Sequence, residues 1–149
     1  MTGLWVLLGT LVLGLVAGLV LRSREGRVRP ANVDHSGRAD GELPQAIVAE
    51  LSADAEVTLV QISTTFCAPC RHAHARLSAL AERTEGLRHA DLDVTHRPEI
   101  AYRLGVMRTP TTIAFDPRGT ELLRIGGVPD STTLLDALRA HLPAAAPRE

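Results

Sequence analysis

Thr65-Phe66-Cys67-Ala68-Pro69-Cys70-Arg71 holds both cysteines of the 149-residue chain, three positions apart. Just upstream, Val57 to Ile62 is an apolar run broken only by Thr58 and Gln61, the pattern of a strand covered on both faces. Just downstream, Ala68 or Pro69 opens a helix running to about Arg83, with Ala73, Leu77, Leu80 and Ala81 on its inner side and Gly86 beyond its end. Proline suits a first helical turn, where its missing N–H costs nothing. The cysteines therefore sit where a strand turns into a helix, and the positive end of the helix dipole with its unpaired N–H groups favours thiolate. Two cysteines this close cannot staple distant segments, so they are redox-active, metal-binding or inert. A proline between them at a helix start is hard to account for by packing and favours redox chemistry.

Working outward, Leu43, Ala46, Ile47, Glu50 and Leu51 predict a short amphipathic helix, and Leu87 to Val94 a second strand. Pro98 to Leu104 reads as a short helix. Thr111 to Phe115 and Glu121 to Ile125 read as a hairpin around Asp116-Pro117-Arg118-Gly119. After Gly126-Gly127, Asp130 or Ser131 caps a last helix whose buried stripe is Leu134, Leu135, Leu138 and Leu142. Strand and helix alternate first, implying parallel pairing, and the terminal hairpin implies an antiparallel edge.

With Cys67-Ala68-Pro69-Cys70 between the first strand and a helix, and Thr109-Pro110-Thr111 just before the hairpin, the chain resembles the thioredoxin family over residues 41–142. The resemblance implies an α/β fold, a three-layer sandwich with a central mixed sheet flanked by helices. It also implies a thiol–disulfide oxidoreductase with no cofactor beyond its redox-active disulfide. Cys67 would be the exposed nucleophile and Cys70 the resolving thiol. Pro110 would be a cis-proline presenting backbone to an extended substrate, with Thr109 beside it and Gly127 or Gly126 in the neighbouring loop. Three departures stand out: Phe66 replaces the tryptophan of the best-known members, Ala68 next to Pro69 replaces glycine, and Gln61 replaces a buried aspartate that takes the resolving thiol's proton. Asp91 falls where a buried lysine is expected. The expectation is that Asp91 or a water, not Gln61, moves that proton.

Outside this region, Leu4 to Leu21 is uncharged and long enough as a helix, roughly 27 Å, to cross a bilayer. No basic segment precedes it and no small-residue cleavage site follows, so a transmembrane anchor is favoured over a signal peptide. Trp5 suits the interface, and Gly14 and Gly18 form a small-residue pair that would permit a weak dimer. Arg22, Arg24, Arg27 and Arg29 follow the span, placing the C-terminal domain in the cytoplasm by the positive-inside rule, with an extracytoplasmic domain as the alternative. Residues 22–40 read as a flexible tether and 143–149 as a disordered tail. Partners are then protein disulfides or dithiols, together with a reductase or a membrane thiol carrier.

Net charge of −1 gives no footprint for nucleic acid, and all 16 basic residues are arginine, which removes lysine chemistry. A rival reading is a tethered copper or zinc metallochaperone using Cys67, Cys70 and His74, which lie at i, i+3 and i+7. Another is a redox-inert binding module that uses the groove at Pro110. Haem attachment is excluded because residue 71 is arginine where histidine is required. His72 and His74 read otherwise as solvated or as helping to hold the thiolate electrostatically, Asp91 and Asp93 can equally cap a strand end and face water, and His35, His89, His96 and His141 stand isolated in the sequence.

Overall fold

A computed structural model describes residues 2–24, 28–30 and 43–143. Its elements are α1 (Thr2–Arg24), β1 (Val28–Pro30), α2 (Gln45–Val48), β2 (Val57–Ser63), α3 (Ala68–Glu82), β3 (Leu87–Asp93), α4 (Pro98–Arg103), β4 (Thr111–Phe115), β5 (Glu121–Gly126) and α5 (Ser131–Leu138). The five strands form one sheet in the order β1-β5-β4-β2-β3. β2 pairs with β3 in parallel, and the other three pairings are antiparallel.

All seven residues of β2 are buried, Thr58, Gln61 and Ser63 among them, as expected of a strand covered on both faces. Alternate side chains point to opposite faces. Val60 and Ile62 join Leu92, Ile113 and Phe115 beneath Ile47 of α2 and Ile100 of α4. Val57 and Leu59 join Leu87, Ala114, Leu123 and Ile125 beneath Leu77 and Leu80 of α3 and Leu134 and Leu138 of α5. The result is the three-layer arrangement anticipated from the resemblance, with α2 and α4 on one face and α3 and α5 on the other.

Three segments depart from the sequence reading. The first helix of the domain is only four residues long, because Pro44 supplies no side-chain cap and Glu50 N–H bonds to Ile47 three residues back, tightening the chain into a turn. The last helix stops at Leu138, although Leu142 still packs on its core. The largest correction concerns the expected tether. α1 continues through Arg24, and Val28–Pro30 is an edge strand whose Val28 opposes Ile125 and whose Pro30 opposes Leu123. Half-buried Val28 packs on the α3/α5 core, and its strand covers the hydrogen-bonding edge that β5 would otherwise expose. The outermost antiparallel strand is therefore β1, not part of the hairpin. The remainder of the expected tether and residues 144–149 of the expected tail lie outside the described residues.

Gly3–Val20 within α1 has a mean hydropathy of 2.3 and no buried residue, so α1 is long and apolar enough to cross a membrane; a signal sequence has the same length and composition. A Cβ at Gly14 or Gly18 would meet nothing within 4 Å.

Phe115 is the largest fully buried side chain. Its replacement by alanine should cost about 3–5 kcal/mol, read as a lower urea midpoint, whereas a loss below about 1 kcal/mol would show that the α2/α4 face does not close over it.

Candidate active site at the start of α3

Cys67 and Cys70 form a disulfide with Cα atoms 5.2 Å apart. Cys67 is the N-cap of α3, and its Sγ accepts a hydrogen bond from the Cys70 backbone N–H at 3.1 Å. Its sulfur therefore faces the donors that stabilise negative charge at a helix start. Cys67 is half-buried, while Cys70 is only 4 % exposed. An incoming sulfur can thus reach Cys67 first, and Cys70 is placed to act within the molecule. Ala68 and Pro69 are exposed in the first turn, and the Phe66 ring is 95 % exposed.

The loop carrying Phe66 and Cys67 is fixed by a network that the sequence reading does not single out. Thr65 N–H donates to Thr95 Oγ1 at 2.8 Å, and Thr65 Oγ1 donates to Asp93 Oδ2 at 3.0 Å. Asp93 Oδ1 also accepts from Thr95 N–H at 2.8 Å. The Thr95 side-chain and backbone donors hold the Asp93 carboxyl below the usual carboxylate range, with Thr65 adding to the effect. The one signal in the sequence is a Thr-x-Cys loop that can face an Asp-x-Thr strand end.

Beneath the disulfide lies Gln61, fully buried, whose Nε2 donates to the Cys70 carbonyl at 3.0 Å. The side chain that replaces the expected aspartate thus holds the backbone of the first helical turn. Its Oε1, and Oγ1 of Thr112 on the next strand, have no hydrogen-bond partner among the described residues. On the other flank Gln61 opposes Asp91 in the parallel pair. Asp91 lines an open groove of about 450 Å3 together with Cys67, Cys70, Arg71 and His74.

His74 Nδ1 lies 3.7 Å from Asp91 Oδ2, and its ring meets the His89 ring edge-on at 5.0 Å. His89 Nδ1 is 3.0 Å from Ser78 Oγ. Sequence separation conceals this cluster: His89 and Asp91 share the α3-facing side of β3 because strand side chains alternate, and His74 and Ser78 are one helical turn apart. Burial pushes the His89 imidazole down from 6.5 to about 4, His74 adds to that, and Asp91 opposes it.

At the same end of the sheet, next to the paired Thr111 and Ile62, the Thr109–Pro110 bond is cis, as anticipated. Gly127 N–H donates to the Pro110 carbonyl at 2.8 Å, tying the two loops together, and Gly127 has φ of 90°. Thr109 Oγ1 and Thr64 Oγ1 are 3.5 Å apart. Every site residue expected from the sequence is therefore gathered at one end of the sheet. The metallochaperone reading fares worse. Among the described residues no cluster of three or more His, Cys, Asp or Glu side chains has metal-binding geometry, because His74 turns toward Asp91 and His89.

The thioredoxin family model matches residues 44–140. Thioredoxin H2 of Arabidopsis thaliana is 30 % identical over 78 residues, which cover 52 % of this chain and 58 % of that protein, so the match spans little more than half of the relative's length. Among solved structures, a mutant thioredoxin from Halobacterium salinarum NRC-1 superposes with a TM-score of 0.56 at 24 % identity, covering 71 % of this chain and 89 % of the other. Fasciola hepatica thioredoxin gives 0.52 at 25 % identity, covering 65 % and 88 %.

Because His89 binds a proton in the unfolded chain at a pH where the folded chain resists it, its stabilisation is present above about pH 6.5 and is lost as pH falls toward 4. Discounted for partial exposure, the loss between about pH 7 and about pH 5 should be near 1 kcal/mol, roughly 5 °C in Tm. His89→Gln should flatten that dependence, and an equally steep fall in thermal melts of the variant would assign it to other groups.

Proposed function

The chain belongs to the thioredoxin family, and from that membership and its adjacent cysteine pair we propose that it is a membrane-anchored thiol–disulfide oxidoreductase acting on proteins. The observation that carries the reading is the asymmetry of the two sulfurs, Cys67 reachable at the N-cap of α3 and Cys70 buried one turn inside.

In the reducing direction, Cys67 thiolate attacks one sulfur of a protein disulfide and releases the other as thiolate. Cys70, deprotonated, then displaces the substrate sulfur from Cys67 and closes the Cys67–Cys70 disulfide. Two electrons and two protons pass to the substrate. Electrons return from a dithiol donor, a reductase or a membrane thiol carrier, by the reverse steps. Pro110 and Thr109 with Gly127 form the wall against which an extended substrate lies, and Phe66, Ala68 and Pro69 border the attacked sulfur. Proton transfer at Cys70 falls to Asp91, which lines the same groove and has His74 beside it. Gln61 takes a positioning role through the Cys70 carbonyl.

The α1 span anchors the protein once in the cell membrane, and the arginines that follow it favour a cytoplasmic domain, with the extracytoplasmic side as the alternative. Gly14 and Gly18 would serve a weak dimer of spans.

Cys67→Ser should abolish turnover of a disulfide substrate, while Cys70→Ser should trap a mixed disulfide visible by mass; turnover retained in Cys67→Ser would assign the attack elsewhere. Asp91→Asn should slow reduction on the order of tenfold to a hundredfold and change its pH profile. An unchanged profile would remove Asp91 from the proton path.

A further inference from the structure

Strand register fixes which end of the domain the anchor enters. β1 runs antiparallel to β5, β5 to β4, and β4 to β2, so the start of β1 lies at the same end of the sheet as the end of β2. Val28 opposes Ile125, Ile125 opposes Thr112, and Thr112 opposes Gln61. Gln61 is bonded to the Cys70 carbonyl, so Val28 and the disulfide stand at one level along the strands, three strand spacings apart, about 14 Å.

Only residues 25–27 separate the end of α1 from Val28, and a chain of that length reaches about 14 Å at most. Arg24 in turn lies four helical residues past Val20, the end of the apolar window, about 6 Å. The connection therefore holds the start of β1 within roughly 20 Å of the apolar span. The far end of the sheet, where β2 begins at Val57, lies four residues from the Gln61 level, about another 13 Å. Turning that end to the bilayer would make the connection run back along the sheet and use nearly all of its reach, whereas the end bearing Val28 and the disulfide meets the bilayer without such a detour.

The side chains at the near end agree with this placement. Phe66 and Met107 are 95 % and 92 % exposed beside the dithiol and the Pro110 loop. The Arg108 guanidinium lies over Gly126, where a Cβ would come 2.6 Å from Nη2, so a cation spans the gap between the Pro110 loop and the end of β5. Exposed apolar side chains with arginine suit a surface that meets a membrane-held partner and anionic headgroups.

We infer that the dithiol end of the domain is held facing the bilayer, and that its redox partner is a membrane protein whose disulfide or dithiol lies at the membrane surface. This rests on the membrane-anchored reading above. The end bearing Cys67 samples a shell within roughly 30 Å of the headgroups, so a disulfide held there meets it at a raised effective concentration, whereas a freely diffusing protein gains nothing from the anchor.

The test uses the full chain, reduced and reconstituted in liposomes, with a fluorogenic disulfide peptide as probe in three forms: soluble, lipid-coupled through a short linker, and lipid-coupled through a long flexible linker. Flotation with the liposomes comes first, and a chain left in the soluble fraction overturns the anchored reading and this inference together. For a chain that floats, the short-linked probe should react at least as fast as the long-linked one, and roughly tenfold faster than the soluble probe at equal bulk concentration. A long-linked probe reacting about tenfold faster than the short-linked one would place the dithiol away from the bilayer and overturn the inference while leaving the anchor intact. Equal rates on bound and soluble probes would overturn it likewise. A Gly/Ser insertion that extends residues 25–27 about tenfold should slow the short-linked reaction roughly tenfold or more and leave the soluble one unchanged.

Discussion

The alternation of side chains along β2 is the constraint on which the rest depends. With a neighbour on each edge and helices over both faces, every residue of β2 is enclosed, so each must suit one of two cores or face the site. Val57, Leu59 and Gln61 look toward α3, and Val60 and Ile62 look toward α2 and α4. A shift of one residue would exchange the two sets and bring Gln61 out from under Cys70. The strand thus sets both the layering and the height at which α3 begins. The Gln61–Cys70 bond joins its end to the first helical turn, and buried polar groups carry a penalty unless such bonds are made.

Long-range pairing and local motifs are legible in the sequence to different degrees. The chemistry is read from Cys67, Pro69 and Cys70, because a proline-bearing C-x-x-C at a helix start sets a thiol against unpaired N–H donors, which packing alone does not call for. β2 is legible as an apolar run, and the hairpin from its turn residues. The cis bond at Pro110 follows from resemblance, since proline alone does not fix its isomer. The Asp93–Thr65–Thr95 network and the His74–Asp91–His89 cluster are not legible. The first joins Thr65, just after β2, to the end of β3, 28 and 30 positions away, and the second joins α3 to β3; both follow from tertiary packing, which leaves no local signature. β1 escapes the sequence reading for a related reason. Val28-Arg29-Pro30 is too short and too charged to read as a strand, and its pairing comes from the open edge of β5.

The site also departs from the familiar arrangement in how charge is distributed. A buried carboxylate under the resolving cysteine would have to be desolvated, at several kcal/mol if unpaired. Gln61 avoids that cost while keeping a hydrogen bond in place. The carboxylates instead stand at the rim: Asp91 next to His74, and Asp93 within a net of threonine donors. Water can reach both, so acid–base traffic can enter from the groove without crossing the core.

The three-residue strand β1 has a consequence for the life of the protein in the cell. It shields the hydrogen-bonding edge of β5 and ends in Pro30, which has no N–H to offer a further strand. Cleavage between α1 and the domain could free β1 or leave it attached, and the outcomes differ. A soluble fragment that keeps β1 keeps a closed sheet edge, whereas one trimmed past Pro30 presents β5 as a template for pairing with another copy. Under the proposed anchored reading, loss of anchorage by proteolysis beyond Pro30 would therefore be coupled to self-association.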